Sequence, residues 1–233
     1  MDIKGARALI TGGSEGIGYG IAEALKNKGA QVAIMARDAG KLQAAADQLG
    51  ALAVPGDVSR EDDAKAAVAR VVEEFGGIDI LVNNAGFGIF APLNEMTKED
   101  FEAVFAVNVT GAMLMAREAA RHFVAQESGH LLNISSTSGL SGGATSTAYS
   151  GSKFALRGMT ECWRAELRRH NVRVTLVNPS EVQTRFFEKV GKEQAQSEKK
   201  LRSEEIAAAV VGALEIDDRG FIPEFSVFAT NPF

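Results

Sequence analysis

The sequence predicts an α/β protein in which a parallel sheet is covered by helices on both faces. Apolar runs of strand length alternate with segments of helical period, the pattern of successive β–α units. A glycine-rich turn also lies between the first such strand and the first such helix. With 233 residues, of which 45% are hydrophobic and 24% charged, the chain is long enough for a large core. We therefore expect a single domain over residues 1–233.

Composition and charge argue against several classes of function. The net charge is −5 and no basic block stands out, so neither nucleic acid nor an anionic membrane is an expected partner. No apolar run approaches the ~20 residues of a membrane span, and a first strand beginning by Ala6 leaves no room for a signal peptide. Cys162 is the only cysteine, and His122, His130 and His170 lack the spacing of metal ligands. A cytoplasmic location without a metal centre is expected.

The first β–α unit has the form of a phosphate-binding turn. A strand from Ala6 to Thr11 precedes the turn and an amphipathic run follows it to Lys28. Glycines let the backbone approach a pyrophosphate, and the helix N-terminus offers free N–H groups and positive dipole. A glycine-rich turn without a ligand is the alternative. The residues expected to bind the cofactor here are Gly12, Ser14, Gly16, Ile17 and Gly18.

The second predicted strand runs from Gln31 to Ala36. The residue that follows it indicates which dinucleotide the turn would bind. Dinucleotide folds that bind a free ribose 2′-hydroxyl place an acidic residue near this point, whereas this chain has Arg37. A guanidinium suits a 2′-phosphate, so NADP(H) is predicted to be preferred, with NAD(H) possible. Glu15, an acidic residue in the glycine turn, opposes this prediction, and an exposed Arg37 without a ligand is the alternative.

Two further cofactor contacts are predicted at strand ends. A short strand from Leu52 to Val54 leads to Asp57 and Val58, and Asp57 is expected either to accept from an adenine amino group or to cap the helix from about Glu61 to Phe75. A strand from Asp79 to Val82 leads into Asn83-Asn84-Ala85-Gly86. Small residues and amides at that point are expected to lie against a ribose.

The second half of the chain continues the alternation. The predicted elements are helical stretches over Lys98 to Val109 and Thr110 to Gln126, a strand over Gly129 to Ser135, a helix from Tyr149 to about Arg169, a strand over Val172 to Asn178, a helix over Ser203 to Ile216 and a last strand over Glu224 to Phe228. Asn108 is a poor residue for a helix interior and predicts a kink. The polar run from Glu188 to Lys200 is expected to be a loop or an exposed helix.

Two sets of apolar residues can each be placed in two ways, one near the end of the chain and one around the expected site. Phe225 and Val227 are predicted to lie on the last strand with their side chains covered. The residues from Phe228 onward are predicted to pack on a partner subunit or beside the active-site cleft. The alternative is a frayed end folded on its own domain. The residues expected either to line a substrate pocket or to lie in the core are Phe87, Ile89, Phe90, Leu140, Phe186 and Phe187.

Chemistry is expected in the stretch from Ser135 to Lys153. Ser136 precedes Tyr149 by thirteen residues and Lys153 follows it by four. On a helix, an i, i+4 pair puts the phenol and the ammonium on one face. We expect the cation to lower the pKa of Tyr149 below about 10, making it a proton donor or acceptor near neutrality. A Tyr-x-x-x-Lys match alone is weak, and its setting after a nucleotide-binding turn strengthens it.

Taken together, these motifs resemble the single-domain branch of the short-chain dehydrogenase/reductase family. The resemblance covers the chain from Ala6 to about Thr184. It rests on the turn Thr11-Gly12-Gly13-Ser14-Glu15-Gly16-Ile17-Gly18, and on Asp57, Asn83-Asn84-Ala85-Gly86, Asn108, Ser136, Tyr149 and Lys153. It implies a Rossmann-type doubly wound sheet of about seven strands and a nicotinamide cofactor. It also implies a homodimer or homotetramer that acts on a small-molecule carbonyl or alcohol.

The resemblance also implies roles for single residues. Tyr149 matches the residue that exchanges the proton, Ser136 the one that holds the substrate oxygen, Lys153 the one that binds the nicotinamide ribose, and Asn108 the one that anchors a water. Pro179, Val182 and Thr184 match residues near the nicotinamide, although Ser180 stands where the family usually has glycine. The C-terminal sequence GFIPEFSVFATNPF departs from the family. A cofactor-binding sensor without turnover and a sugar-nucleotide isomerase or dehydratase are the alternative functions.

Overall fold

The computed structural model describes residues 1–184, 186 and 197–231. Its strands form a seven-stranded sheet in the order β3-β2-β1-β4-β5-β6-β7, with every neighbouring pair parallel. The strands are β1 (Arg7–Thr11), β2 (Gln31–Ala36), β3 (Leu52–Pro55), β4 (Ile80–Asn83), β5 (Gly129–Ile134), β6 (Val172–Pro179) and β7 (Glu224–Val227). The predicted fold, a Rossmann-type doubly wound parallel sheet, is confirmed.

Helices cover both faces of the sheet. They are α1 (Gly16–Asn27), α2 (Ala39–Leu49), α3 (Glu61–Phe75), α4 (Lys98–Phe105), α5 (Ala112–Ala125), α6 (Thr147–Leu167) and α7 (Ser203–Leu214). On one face, Ile10 and Ile34 pack with apolar residues of α1, α2 and α7. On the other, Leu9 and Met35 pack with residues of α3 and α5. Alternate residues of one strand thus enter opposite cores, as the pleat requires.

The predicted kink at Asn108 is a π-helical turn over Ala106–Gly111, between α4 and α5. Asn108 is 1% exposed. Its Oδ1 accepts from the Phe87 N–H at 3.0 Å, and its Nδ2 donates to the Phe87 carbonyl at 2.9 Å. The side chain therefore satisfies both backbone groups of a residue outside the helix, which holds the segment after β4 against this turn.

The C-terminal segment agrees in part with its prediction. Phe225 and Val227 lie on β7 and are half-buried against the core on the α1 side. Phe228, in contrast, is 64% exposed. Packing from Phe228 onward against a partner subunit or the cleft stays a prediction, and residues 232–233 lie outside the described residues. Of the polar run from Glu188 to Lys200, only 197–200 is described, and it forms a turn.

No helix within residues 1–184, 186 and 197–231 is long and apolar enough to cross a membrane. The same residues contain no cluster of three His, Cys, Asp or Glu side chains that could hold a metal ion.

Candidate active site

A cleft of about 680 Å³ runs along the carboxyl ends of the strands. This is the edge at which ligands bind in open α/β sheets. Every residue predicted to contact the cofactor lines it, with the exception of Gly18. The cleft also contains Ser136 and the aromatic residues Phe87, Phe90 and Phe186. Ile89 and Leu140, two of the candidate pocket residues, do not line it, and Phe187 lies outside the described residues.

The glycine turn owes its shape to close backbone approaches. Gly12 and Gly16 have φ values of 65° and 59°, in the left-handed region that favours glycine. A Cβ on Gly12 would lie 2.9 Å from Asn84 Nδ2. A Cβ on Gly18 would overlap the same amide and the Gly12 carbonyl. Gly18 thus makes room for Asn84 behind the turn, and a contact between Gly18 and the cofactor stays a prediction.

Asn84 and Thr11 fasten this turn to β4. Asn84 Nδ2 donates to the carbonyls of Thr11 at 2.9 Å and Gly12 at 3.1 Å. Thr11 Oγ1 accepts from the backbone N–H groups of Asn84 and Ala85, each at 3.0 Å. Sequence reasoning included Thr11 in the motif but gave it no role. A buried hydroxyl at the last position of a strand beside a glycine turn was the available signal.

Arg37 and Asp57 lie at the β2 and β3 end of the cleft. The Arg37 side chain is 68% exposed, and its Nη1 lies 3.8 Å from Asp57 Oδ2. Asp57 Oδ1 accepts from the Ser59 N–H at 2.9 Å and the Ser59 hydroxyl at 2.7 Å. Burial raises the pKa of Asp57, but the hydrogen bonds from Ser59 and the charges of Arg37 and Arg60 outweigh it, so the pKa is lowered. Asp57 is ionised near neutrality.

The suggestion that Asp57 caps α3 is wrong. The residue before the helix is Arg60, and no side chain caps that end. The Asp57 carboxylate instead closes a local turn on Ser59. Its second oxygen, Oδ2, faces Arg37 across the cleft wall. The same wall contains Asp38, whose carboxylate accepts from the Lys41 N–H and caps α2.

Ser136, Tyr149 and Lys153 meet where β5 ends and α6 begins. Ser136 is the second residue after β5, and its hydroxyl lies near enough to the Tyr149 phenol to lower the phenol pKa by hydrogen bonding. Lys153 is one turn further along α6, with its Nζ 5.8 Å from the centre of the Tyr149 ring. The expected i, i+4 arrangement is therefore present. Lys153 Nζ also donates to the Ile134 carbonyl at 2.9 Å, which fixes the ammonium beside the end of β5.

The protonation of this pair differs from the sequence expectation. Burial raises the pKa of Tyr149, and the hydrogen bond from Ser136 offsets only part of that rise. Burial also lowers the pKa of Lys153 to about 8. The predicted lowering of the Tyr149 pKa is wrong for the protein without ligands, because desolvation penalises the phenolate and the ammonium alike. Burial thus brings the pKa of Lys153 closer to neutral pH and moves the pKa of Tyr149 further from it.

Asn108 supports this group from behind the cleft rather than lining it. Its Nδ2 donates to Ser152 Oγ at 2.9 Å, and Ser152 Oγ donates to the Tyr149 carbonyl at 2.7 Å. Sequence reasoning did not single out Ser152, which is fully buried. Its position directly before Lys153, on the inner face of α6, was the only signal for it.

The other end of the cleft is closed by the segment after β6. Pro179 ends the strand, and Val182 is 5% exposed and bridges to Leu201. Thr184 faces the glycine turn, where a Cβ on Gly16 would lie 3.4 Å from its side chain. The turn and this segment therefore adjoin at Gly16 and Thr184, and both line the cleft.

Comparison with known proteins agrees with this architecture. The family model described as short chain dehydrogenase matches residues 6–195. The chain belongs to the short-chain dehydrogenase/reductase family. It is 33% identical over 210 residues to an uncharacterized oxidoreductase of Staphylococcus aureus (strain MRSA252), covering 89% of this chain and 90% of the relative. Membership of this family makes the chain an oxidoreductase.

Two solved structures with similar folds contain nicotinamide nucleotides. An alcohol dehydrogenase from Thermococcus sibiricus, complexed with 5-hydroxy-NADP, has a TM-score of 0.88, 28% identity and 97% coverage of both chains. A 3-ketoacyl-(acyl-carrier-protein) reductase from Brucella melitensis, complexed with NADH, has a TM-score of 0.88, 28% identity and 98% coverage of both chains. Family members of this shape thus include complexes with either type of nucleotide.

Proposed function

We propose that this short-chain dehydrogenase/reductase is an NADP(H)-dependent oxidoreductase that interconverts a carbonyl compound and its alcohol. The observation that carries the proposal is the convergence of Ser136, Tyr149 and Lys153 in the cleft that also contains the glycine turn. A hydroxyl, a phenol and an ammonium with these contacts can bind a carbonyl oxygen and exchange one proton with it.

The glycine turn fits a dinucleotide. The close approaches at Gly12 leave its wall without side chains, so a pyrophosphate can meet backbone N–H groups at the start of α1. Arg37 suits a ribose 2′-phosphate, and the neighbouring Ala36 offers no carboxylate to a free 2′-hydroxyl. Bound NADP(H) supplies or accepts the hydride at nicotinamide C4. The remaining chemistry belongs to the side chains of this chain.

The roles follow from position. Ser136 donates a hydrogen bond to the substrate oxygen and holds it beside the phenol. Tyr149 gives its proton to that oxygen when a carbonyl is reduced, and takes one back when an alcohol is oxidised. Lys153 binds the nicotinamide ribose and stabilises the phenolate that remains after proton transfer. Asn108 holds the π-helical turn and, through Ser152, the start of α6, and it anchors a water of the proton relay.

A cofactor-binding sensor without turnover is the alternative, and the intact Ser136, Tyr149 and Lys153 set favours an enzyme over it. A cytoplasmic small-molecule enzyme forming a homodimer or homotetramer, with neither nucleic acid nor membrane as partner, remains our prediction.

The test is NADPH oxidation against a panel of ketones, aldehydes and quinones with Tyr149→Phe. This variant removes only the transferable proton and should lower kcat by about 10²–10⁴, while the Kd for NADPH stays unchanged. The other tyrosine provides a matched control, because Tyr19 lies on α1 with its hydroxyl 3.4 Å from Gln48. Tyr19→Phe should retain full turnover. Near-normal turnover by Tyr149→Phe on a verified substrate would refute the proposal.

A further inference from the structure

Three aromatic rings close together beside the proposed proton donor. The ring centres of Phe90 and Tyr149 are 5.5 Å apart, and those of Phe186 and Tyr149 are 5.4 Å apart. Phe90 and Phe186 meet edge to face at 6.5 Å. All three residues line the cleft. These distances lie within the range of direct aromatic contact, so the two phenylalanines form one continuous apolar surface with the phenol ring.

Gly88 allows this surface to form. It is buried, and a Cβ at this position would lie 2.8 Å from Phe90 Cε2, 3.1 Å from Tyr149 Cδ2 and 3.2 Å from Phe186 Cζ. One methyl group would therefore press on all three rings at once. These close contacts, and not an unusual backbone angle, are what a side chain at this position would disturb.

Apart from Lys153, the cationic side chains that line the cleft in the described part of the chain lie away from these rings. Among the described residues of its wall, the arginine and lysine side chains besides Lys153 belong to Arg37 and Lys41, which follow β2. Tyr149 lies beyond the end of β5, three strands away and thus on the order of 14 Å distant. A carboxylate or phosphate attached to the carbonyl compound would gain little from those cations.

We propose that Gly88, Phe90 and Phe186 form a wall that selects carbonyl compounds with an apolar aryl or cycloalkyl substituent, with Gly88 setting its width. This inference rests on the proposed function. A carbonyl oxygen held by Ser136 and Tyr149 places the substituents of its carbon against these rings. Apolar substituents gain from being removed from water there, whereas hydroxyl groups lose hydrogen bonds that the rings do not replace.

The experiment compares two ketones, acetophenone and 1,3-dihydroxyacetone. The unmodified enzyme should reduce acetophenone with the higher kcat/KM. Phe90→Ala and Phe186→Ala should each lower kcat/KM for acetophenone by about tenfold or more, mainly through KM. The value for dihydroxyacetone should change by less than about threefold. Gly88→Ala should displace the rings and should therefore also lower the ratio of kcat/KM for acetophenone to kcat/KM for dihydroxyacetone.

Phe101→Ala is the matched control, because Phe101 is an aromatic residue of α4 outside the cleft and 37% exposed. It should leave both values unchanged. Preference of the unmodified enzyme for dihydroxyacetone, or equal losses on both ketones in the Phe90 and Phe186 variants, would overturn the inference.

Binding measurements separate this inference from the proposed function. Saturation-transfer NMR on the Tyr149→Phe protein with NADPH reports ligand contact without turnover. Acetophenone should show contact that Phe90→Ala weakens, and dihydroxyacetone should show none. If no ketone is reduced but this contrast appears, the apolar wall stands and the proposed reaction fails. If ketones are reduced but the contrast is absent, the wall fails and the reaction stands.

Discussion

Asn108 and Tyr149 are joined through a single buried hydroxyl. Asn108 Nδ2 donates to Ser152 Oγ at 2.9 Å, which donates to the Tyr149 carbonyl at 2.7 Å. These two hydrogen bonds link the π-helical turn to the start of α6. Because Ser152 does not line the cleft, we expect it to act as a positioning residue.

Ser152→Ala breaks this connection. We expect the free energy of unfolding to fall by about 1 kcal/mol and kcat to fall roughly tenfold through misplacement of the phenol, with the Kd for NADPH unchanged. Urea denaturation and steady-state kinetics measure these effects. Ser150→Ala is the control, since Ser150 is a buried serine of the same helix that bonds Ser146 Oγ. A loss of stability in Ser152→Ala without a loss of kcat would make Ser152 purely structural.

Lys153→Met should raise the pKa that governs alcohol oxidation. Burial already raises the pKa of Tyr149, and the neighbouring ammonium opposes that rise in the catalytic complex. Oxidation requires the phenolate, so the basic plateau of log kcat/KM should shift to higher pH. An unchanged pH profile would show that the ammonium has no influence on Tyr149.

Arg37→Ala should remove most of a preference for NADPH over NADH. Charge-assisted hydrogen bonds to a 2′-phosphate are worth ~1.5–3 kcal/mol, so the unmodified protein should bind NADPH about tenfold or more tightly. Fluorescence titration gives both Kd values, and the one for NADH should not change. Arg60→Ala is the control, because Arg60 also lowers the pKa of Asp57 but does not line the cleft. Equal affinities in the unmodified protein would refute the prediction.

Gly18→Ala should destabilise the protein, although alanine is the better helix former. A methyl group there overlaps the Asn84 amide and the Gly12 carbonyl, and overpacking of this kind costs about 1–3 kcal/mol. Gly158→Ala is the counterpart on α6, where a Cβ meets nothing within 4 Å. It should stabilise by roughly 0.5–1 kcal/mol. Thermal unfolding of the two variants should shift in opposite directions, and shifts of the same sign would contradict this account of Gly18.

His130 predicts a loss of stability in mild acid. Its pKa is lowered from 6.5 to about 4, chiefly by burial and also by the positive charges of Arg173 and the N-terminal amine. The negative charges of Asp218 and Asp79 oppose this shift. Between these pH values the unfolded chain binds more protons than the folded one, so stability falls as the pH drops from about 6.5 to about 4. The full difference is about 3 kcal/mol.

His130→Asn should flatten this part of the stability curve. Carboxylates such as Asp79, whose folded pKa is also lowered, lose their contribution only as the pH falls below about 5. The slope between about pH 5 and 7 therefore isolates the histidine. Urea unfolding at half-unit pH intervals from 4 to 7 gives the slope. An equally steep slope in the variant would assign the effect to other groups.

The positions of the strands, the kink and the meeting of Ser136, Tyr149 and Lys153 could be foreseen because each depends on local pattern. Alternating periods place the strands, and the spacing of Tyr149 and Lys153 on a helix fixes their shared face. Helix ends were less accurate, with α6 beginning at Thr147 rather than Tyr149.

What the sequence could not decide depends on the surroundings of each residue in the fold. The pKa of Tyr149 depends on how deeply α6 is buried. The part played by Gly18 depends on Asn84, which lies far along the chain. Leu140 and Ile89 were grouped with Phe90 as pocket residues, yet only Phe90 lines the cleft. None of these outcomes is encoded in the residues adjacent to the position concerned.

The strand order also has a consequence during synthesis. β1 pairs with β2 on one side, but its other neighbour is β4, which the ribosome delivers only after β3 and α3. Until Ile80–Asn83 has emerged, the nascent chain has an apolar β1 with one unpaired edge, a template for pairing with other chains. Thr11 then lacks Asn84 and Ala85 as well, so the nucleotide cleft first takes shape when that edge closes.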